Sequence, residues 1–206
     1  ALDAVPWHHR SVSRIRILIA NRGEIALRIL RASEELGWEA VVVYTEDESE
    51  SLPVARANQA VALPGTGPEP YLDAAMLAKV AADHDCNFFH PGYGFLSESA
   101  ELARACAEAG VSFVGPAPAT LATFGDKAAA RALATETGLP CLEGTATATS
   151  LAEAQSFLES LGEGGAILIK ALSGGGGRGM RVVRSLSDLP RAWKRCGSEA
   201  RRAFGA

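Results

Sequence analysis

The residues with the clearest chemical potential lie in a glycine-rich stretch with the sequence ILIKALSGGGGRGMRVV, Ile167 to Val183. Its run of four glycines lies between two cations, Lys170 and Arg178. Glycine has no Cβ, so such a run lets backbone N–H groups close around an anion without steric cost. An anion that also attracts two fixed cations is most simply a polyphosphate.

The order of the residues separates this stretch from other phosphate-binding loops. In a Walker A loop the lysine follows the glycines and opens a helix, whereas Lys170 precedes them on a predicted strand and MRVV returns as a strand. The sequence therefore predicts a strand–loop–strand lid. A protein kinase is disfavoured because neither HRD nor DFG occurs. A flexible turn with an incidental lysine stays open, although four glycines exceed what a tight turn requires.

The composition is that of an ordinary globular protein. Of the 206 residues 48% are hydrophobic and 21% are charged, and the net charge of -4 disfavours nucleic acid or acidic lipid as a partner. No apolar run approaches the ~20 residues that a membrane-spanning helix needs, so no membrane association is expected. The four cysteines form no CxxC motif, which favours a reducing compartment over a zinc site or a disulfide framework.

Short apolar runs alternate with amphipathic helices from Ile15 to about Gly125. The predicted strands are IRILIA, EAVVVYT, AVALP, CNFFH and VSFVG. The first predicted helix, GEIALRILRASEEL, has Ile25, Ile29, Leu30 and Leu36 near one face; further helices are predicted at 51–57, 71–83 and 97–109. This alternation predicts an α/β fold with a doubly wound parallel sheet. Ligands of such sheets bind at the carboxyl ends of the strands, where the loops NRGE, HPGYGFLSE and GPAPAT are expected.

The second half of the chain has a different pattern. A helix DKAAARALATETG ending at Gly138 is followed by the extended segment LPCLEG, the helix LAEAQSFLESLG, the strand pair around the glycines, and a helix from Ser187 to about Phe204. An isolated two-stranded hairpin is marginally stable, so this half is expected to be an incomplete unit.

Five segments in this order resemble the biotin carboxylase component of the biotin-dependent carboxylases: ANRGEIALRILRA, HPGYGFLSE, FVGPAP, GDKAAAR and IKALSGGGGRGMRVV. The resemblance runs from about Arg14 to Ala206, and the segment from GTATATSLAEAQSFL onward is more similar to the pyruvate carboxylase branch. It implies a biotin carboxylase N-terminal domain at 14–125 and the incomplete first part of an ATP-grasp domain, with its glycine-rich lid, at 126–206. Apart from the resemblance, residues 1–13 are expected to be a disordered tail, and the remnant of an organellar presequence is the alternative for this arginine-containing segment.

The resemblance also implies an ATP site. Lys170 would contact the α and β phosphates, and Lys127 would reach the nucleotide from outside the lid. Gly176 and Gly177 would offer backbone N–H groups to the phosphates, Arg178 would close the lid, and Met180 would lie beside the adenine. The lid glycines are Gly174, Gly175, Gly176, Gly177 and Gly179. An exposed lysine at a helix start is the alternative for Lys127.

Two other sites follow from the same resemblance. Tyr93 is expected near the biotin ring, with His90 and Glu98 shaping the biotin and bicarbonate cleft; a structural histidine is an equal alternative at His90. Three residues at helical spacing match a surface that the family uses to form dimers, and a solvated stripe with an Arg31–Glu35 ion pair explains them equally well. These residues are Arg28, Arg31 and Glu35. In the NRGE loop, Asn21, Arg22 and Glu24 are expected to cap the helix and line the cleft, and helix capping alone is a sufficient explanation for them.

The implied reaction has two steps: bicarbonate attacks the γ-phosphate of MgATP to give carboxyphosphate, and the carboxyl group passes to biotin on a carrier domain. In relatives the Mg²⁺ ligands lie in sequence beyond the equivalent of Ala206, so no turnover is expected from these 206 residues alone. The expected partners are a carrier domain, a carboxyltransferase domain and a second copy of the chain, in the cytoplasm or the mitochondrial matrix.

Three other functions stay open at this point. Another ATP-grasp ligase, such as a carbamoyl-phosphate synthase or a purine-pathway carboxylase, would share the architecture. A non-catalytic module that binds nucleotide or forms dimers would retain the fold without the reaction. A dinucleotide-binding domain is supported only by the βαβ opening, because ANRGEIA lacks the GxGxxG motif.

Overall fold

The structure, a computed structural model, describes residues 14–145, 148–171 and 179–204, without the side chains of residue 200 and of residues 202–204. These residues form two compact units that divide between Ala122 and Thr123. The tail predicted at 1–13 lies outside the described residues, as do Gly174, Gly175, Gly176, Gly177 and Arg178 of the predicted lid.

The first unit contains a parallel β-sheet. Its strands, among the described residues, are β1 (Arg16–Ile19), β2 (Glu39–Tyr44), β3 (Gln59–Ala62), β4 (Phe88–His90) and β5 (Ser112–Phe113). They lie in the order β3-β2-β1-β4-β5, and each neighbouring pair is parallel. Since β1 has β2 on one side and β4 on the other, the chain changes direction across the sheet there, and the loops that follow β1 and β4 begin side by side.

Helices cover both faces of this sheet. They are α1 (Gly23–Glu35), α2 (Leu52–Arg56), α3 (Ala74–Asp83) and α4 (Ala100–Glu108), and 3-10 turns occur at Glu46–Glu48 and Glu69–Leu72. On one face the alternate residues Ile17 and Ile19 of β1 pack with Ile29 and Leu30 of α1. On the other face, Leu18 packs in a cluster with residues of α3 and α4. The doubly wound α/β fold predicted from the sequence is therefore confirmed.

Two details of the sequence prediction were wrong. Leu36 was predicted to share one helix face with Ile29 and Leu30, but it is 62% exposed whereas they are buried, because the helix ends at Glu35 and Leu36 is its C-cap, ahead of Gly37 at φ +69°. The GPAPAT segment was interpreted as a loop, but α5 (Pro118–Gly125) begins within it. A proline is well tolerated in the first turn of a helix, since the N–H that it lacks has no intrahelical acceptor.

Side chains at the amino edge of the sheet bond to the backbone of neighbouring strands. The Asn58 Oδ1 atom accepts the N–H of Ala40 at 2.8 Å, and Asn87 Oδ1 accepts the N–H of Arg16 at 2.8 Å. Both asparagines act here as acceptors. They fix the edge opposite to the one where ligands of such sheets bind.

The second unit combines three helices with a hairpin. Its elements among the described residues are α6 (Lys127–Glu136), α7 (Leu151–Ser160), β6 (Ile167–Lys170), β7 (Met180–Val183) and α8 (Leu189–Phe204). Strands β6 and β7 are antiparallel and form a core with α7 and α8 that includes Leu158, Ile167, Val183 and Leu189. Asp126 caps α6, and Ser150 and Glu153 form a capping box at α7.

The cysteines differ in their environment. Cys86, Cys106 and Cys196 are buried, and burial raises the pKa of the Cys86 and Cys106 thiols to about 11. Cys141 is exposed. No helix within the described residues combines the length and the apolar character needed to cross a membrane.

Candidate functional site

Asn21 joins the two loops that meet at the carboxyl edge of the sheet. It follows β1 and is only 1% exposed. Its Nδ2 amide donates to the carbonyl oxygens of Pro91 at 2.7 Å and Tyr93 at 3.0 Å, while Oδ1 accepts the N–H of Arg22 at 2.9 Å. The capping role expected for Asn21 was wrong, because the N-cap of α1 is Arg22 and no side chain completes that cap. Asn21 instead holds the backbone of the loop after β4.

Glycine is required at position 92 of that loop. Gly92 has φ +69°, where residues with a Cβ are strained. A Cβ atom there would lie 2.6 Å from Asn21 Nδ2 and 2.7 Å from Ile25 Cγ2. Gly94 also has a positive φ, of +73°, but a Cβ there would meet no atom within 4 Å. The backbone approaches Asn21 closely at Gly92 and not at Gly94.

His90 ends β4 and is bonded within its own loop. The N–H of Gly92 donates to His90 Nδ1 at 3.0 Å, so this nitrogen carries no proton and the ring is neutral. Burial lowers the pKa of His90 below the ordinary value of 6.5, which also favours the neutral ring. This contact supports the structural interpretation of His90 that the sequence left open.

Tyr93 and Glu98 lie on the surface of the same loop. The Tyr93 side chain is 61% exposed, although its carbonyl oxygen is bonded to Asn21. Glu98 is also exposed. A fixed backbone with an outward aromatic ring is suited to contact a flat ligand. Of the residues predicted around biotin, the structure thus places Tyr93 and Glu98 outward and His90 partly inward.

A polar network that sequence reasoning missed lies beside this loop. Glu48 Oε1 accepts from Arg22 Nε at 2.7 Å, and Glu48 Oε2 accepts from the Tyr71 hydroxyl at 2.9 Å. Burial, the hydrogen bond to Glu48 and its negative charge raise the pKa of Tyr71 well above its usual range. The Tyr71 ring stacks on Phe95 of the loop at a centroid distance of 5.0 Å. No local motif marks this network, since its members come from four separate segments.

The hairpin of the second unit brings a cation and an apolar surface together. Lys170 is paired in register with Met180, so both side chains lie on one face, which also carries Leu168 and Val182. Lys170 is exposed, Leu168 is 49% exposed and Val182 is 60% exposed. The opposite face packs into the core of the unit through Ile167 and Val183. The glycine run connects these two strands.

Two further residues of the predicted ATP site, Lys127 and Gly179, are among the described residues. Lys127 is the first residue of α6, and Gly179 is buried beside Met180 with φ +70°, its carbonyl oxygen accepting the N–H of Ala171 at 3.0 Å. No cluster of three or more His, Cys, Asp or Glu side chains in the described part of the chain is arranged to hold a metal ion.

The predicted dimer residues lie on α1. Arg28, Arg31 and Glu35 are all exposed. The Arg31–Glu35 ion pair of the alternative interpretation is not among the ion pairs of the described residues; Glu34 pairs with Arg56 of α2 at 2.9 Å. The three side chains are therefore accessible at the surface of this chain.

Comparison with known proteins identifies relatives of both units. Residues 13–121 match the family described as biotin carboxylase, N-terminal domain, and residues 126–206 match the carbamoyl-phosphate synthase L chain, ATP binding domain. Mitochondrial pyruvate carboxylase of Homo sapiens is 45% identical over 92% of this chain and 16% of its own length. Pyruvate carboxylase of Bacillus subtilis is 44% identical over 92% of this chain and 17% of its own length.

Solved structures show the same similarity. The biotin carboxylase domain dimer of 2-oxoglutarate carboxylase from Hydrogenobacter thermophilus, in complex with MgADP, ADP and bicarbonate, superposes with a TM-score of 0.87 at 37% identity, over 92% of this chain and 42% of that chain. Biotin carboxylase from Campylobacter jejuni gives 0.85 at 37% identity, over 92% and 43%. The chain thus spans about a sixth of the curated relatives. Because the first family match covers more than half of the chain, this protein belongs to the biotin carboxylase family, through its N-terminal domain.

Proposed function

We propose that this chain is the N-terminal part of a biotin carboxylase. The reaction consumes ATP, bicarbonate and biotin and yields ADP, inorganic phosphate and N-carboxybiotin. Residues 14–125 would form the biotin carboxylase N-terminal domain, and residues 126–206 the first part of an ATP-grasp domain. The observation that carries the proposal is the placement of Lys170 and Met180 on one exposed face of the hairpin that flanks the glycine run, in a chain of this family.

The hairpin supplies what a nucleotide requires. The Lys170 ammonium group would neutralise phosphate charge, and Leu168, Met180 and Val182 would offer an apolar surface to the adenine. By similarity to the family, Gly174, Gly175, Gly176 and Gly177 would belong to the ATP site, with the backbone N–H groups of Gly176 and Gly177 donating to the phosphates. Arg178 would close the lid, and Lys127 would add a second ammonium group. Phosphoryl transfer depends chiefly on positioning and charge neutralisation, so these residues need no covalent nucleophile among them.

The loop after β4 would serve biotin. Tyr93 presents its exposed ring, while the neutral His90 holds Gly92 and so shapes the loop. Glu98 would lie at the border of the biotin and bicarbonate cleft. In this assignment His90 is a structural residue of the cleft.

Similarity to relatives extends the proposal to ligands, partner domains and a compartment. The Hydrogenobacter biotin carboxylase domain is a dimer in complex with MgADP, ADP and bicarbonate. We assign this chain the same ligands, biotin on a carrier domain, a carboxyltransferase partner, and a dimer contact at Arg28, Arg31 and Glu35. Since no metal cluster occurs among the described side chains, no step is assigned to Mg²⁺ through them. Mitochondrial and bacterial relatives support the mitochondrial matrix or the cytoplasm as the compartment.

The test joins these 206 residues to the remainder of the Campylobacter jejuni biotin carboxylase and measures ADP release. We expect release to require bicarbonate and to increase with free biotin. Lys170→Gln should weaken ATP binding about tenfold or more, since a hydrogen bond to a charged group contributes about 1.5–3 kcal/mol. Lys194→Gln, at another exposed lysine of the second unit, is the control and should leave ATP binding unchanged.

Two results would contradict the proposal. ADP release that ignores biotin would point to the runner-up, another ATP-grasp ligase, which the carbamoyl-phosphate synthase match over residues 126–206 favours. Equal losses of ATP binding in Lys170→Gln and Lys194→Gln would show that the exposed face of the hairpin does not bind the nucleotide. The 206 residues by themselves are expected to release no ADP above background, because they align with only 42–43% of the solved biotin carboxylase chains.

A further inference from the structure

The loop that carries Tyr93 is attached to the rest of its unit at two points, one at Pro91 and the Tyr93 backbone and one after Tyr93, at Phe95. The first point is Asn21, whose amide group bonds to the carbonyl oxygens of Pro91 and Tyr93. The second is Phe95, whose ring stacks on Tyr71. The Tyr93 side chain extends between them with 61% of its surface exposed.

The hydrogen bonds of Asn21 fix the orientation of its amide group as well as the position of the loop backbone. The side chain is almost fully buried, and each of its polar atoms has one suitable partner set: two carbonyl oxygens face Nδ2 and one N–H faces Oδ1. An amide rotated by 180° would place its oxygen against two carbonyl oxygens. The hydrogen-bond pattern therefore admits one orientation of Asn21 and one path for the backbone at Tyr93.

The stack between Phe95 and Tyr71 stabilises a strained backbone conformation at Phe95. Phe95 has φ +41°, a conformation that costs a residue with a Cβ free energy and persists only when its surroundings impose it. Those surroundings include Tyr71, which is 1% exposed and is fixed through its hydroxyl by Glu48. Glu48 is fixed in turn by its ion pair with Arg22 at 2.7 Å. Arg22 directly follows Asn21, so both attachments trace back to the loop after β1.

We propose that Asn21 and the Phe95–Tyr71 stack, supported by Glu48 and Arg22, are the positioning residues that present Tyr93 to biotin. This inference rests on the proposed function for its ligand. None of these residues needs to touch biotin: they act through the backbone of residues 91–95. Loss of either attachment lets the ring of Tyr93 occupy many directions, so biotin binding weakens while the steps that precede it continue.

The test uses two pairs of matched substitutions. Asn21→Asp replaces a donor that faces two carbonyl oxygens by a carboxylate, whereas Asn58→Asp retains an acceptor opposite the Ala40 N–H. Phe95→Leu removes the stack on Tyr71, and Phe113→Leu removes a comparable stack, between Phe113 and Phe89 at a centroid distance of 6.3 Å. If Asn21→Asp does not fold, the milder phenylalanine pair decides the question.

The first measurement needs no ligand. Amide hydrogen exchange by NMR in the 206-residue protein reports on the Gly92 and Ser97 amides, which donate to His90 Nδ1 and to the Gly94 carbonyl oxygen. We expect exchange about tenfold faster in Asn21→Asp and Phe95→Leu, and unchanged in Asn58→Asp and Phe113→Leu after correction for global stability. Equal exchange in the test and control variants would overturn the inference.

The second measurement uses the joined enzyme described above. We expect the KM for free biotin to rise about tenfold or more in Asn21→Asp and Phe95→Leu, while ATP hydrolysis driven by bicarbonate without biotin stays within about twofold. A loss of structure alone would lower both activities together and would overturn the positioning role. If the unsubstituted enzyme does not respond to biotin, the proposed function fails, and the exchange rates alone decide whether these residues hold the loop.

Discussion

Glycine is required at position 92 for two separate reasons, the backbone conformation and the lack of space for a side chain. Its φ of +69° strains any residue with a Cβ, and its neighbours leave no room for one. Gly92→Ala should cost about 2–4 kcal/mol of unfolding free energy, which combines the backbone strain with displacement of Asn21 and Ile25. Gly94→Ala has only the backbone strain and should cost about 1 kcal/mol. Urea denaturation measures both, and equal losses would contradict the close approach at Gly92.

His90 should make stability depend on pH. Burial lowers its pKa in the folded protein below 6.5, so the unfolded chain binds the proton more readily. The contribution of His90 is therefore complete above pH 6.5 and declines as the pH falls through the interval between 6.5 and its lower folded pKa. The urea midpoint of the wild type should fall across this interval, and that of His90→Asn, which retains an acceptor near the Nδ1 position, should fall less. Parallel pH profiles would show that His90 does not contribute.

Sequence reasoning found the residues that local pattern marks, and missed those that depend on distant partners. Gly92 and Gly94 stand out because they flank Tyr93 in HPGYGFLSE. The two residues whose carbonyl oxygens bond to the Asn21 amide are 70 and 72 residues away, and Tyr71 is 23 residues from Glu48. Spacing along the chain cannot reveal such contacts, because they exist only once the strand order has placed the loops together.

Among the described helices, α7 has the most complete N-terminal cap. Ser150 Oγ accepts the N–H of Glu153 at 3.2 Å, and Glu153 Oε2 accepts the N–H of Ser150 at 2.7 Å. Ser150→Ala should cost about 0.5–2 kcal/mol of unfolding free energy. Ser156→Ala, an exposed position inside the same helix, should cost nothing or stabilise the helix slightly, because alanine favours helix. Thermal denaturation of the 206-residue protein, followed by circular dichroism, distinguishes these outcomes.

The capping box at the start of α7 should weaken at low pH. The backbone hydrogen bond from Ser150 holds the pKa of Glu153 below its usual value of 4.5. The contribution of the carboxylate is therefore present above pH 4.5 and is lost as the pH falls through the lower folded pKa. The group is fully exposed, so the effect should be small and should vanish in Glu153→Ala.

The type and order of most elements were predictable, and their ends were less so. Alternating apolar runs identified all five strands of the sheet that the described residues form, but β4 and β5 proved shorter than CNFFH and VSFVG. Helix α5 was missed because two prolines in GPAPAT suggested a loop, whereas Pro118 starts the helix. Turn and helix starts share the same residue preferences, and tertiary context decides between them.

For the whole molecule, the proposed dimer provides the clearest prediction. The double substitution Arg28→Glu and Arg31→Glu reverses the charge of an exposed part of α1 and should convert a dimer to a monomer. Lys79→Glu, at an exposed lysine of α3 that pairs with Asp83, is the control and should leave the assembly unchanged. Sedimentation velocity over a range of concentrations measures the result. An identical distribution for the double variant and the wild type would place the interface elsewhere.

The contrast among the cysteines gives the protein a built-in attachment point. The nucleophile that attacks a thiol reagent is the thiolate, and burial together with a raised pKa disfavours that form at Cys86 and Cys106. Cys196 is buried as well, whereas Cys141 is open to solvent in the segment between α6 and α7. A maleimide dye added to the native protein should therefore attach at a single position, so the second unit can carry a fluorophore without any engineered cysteine.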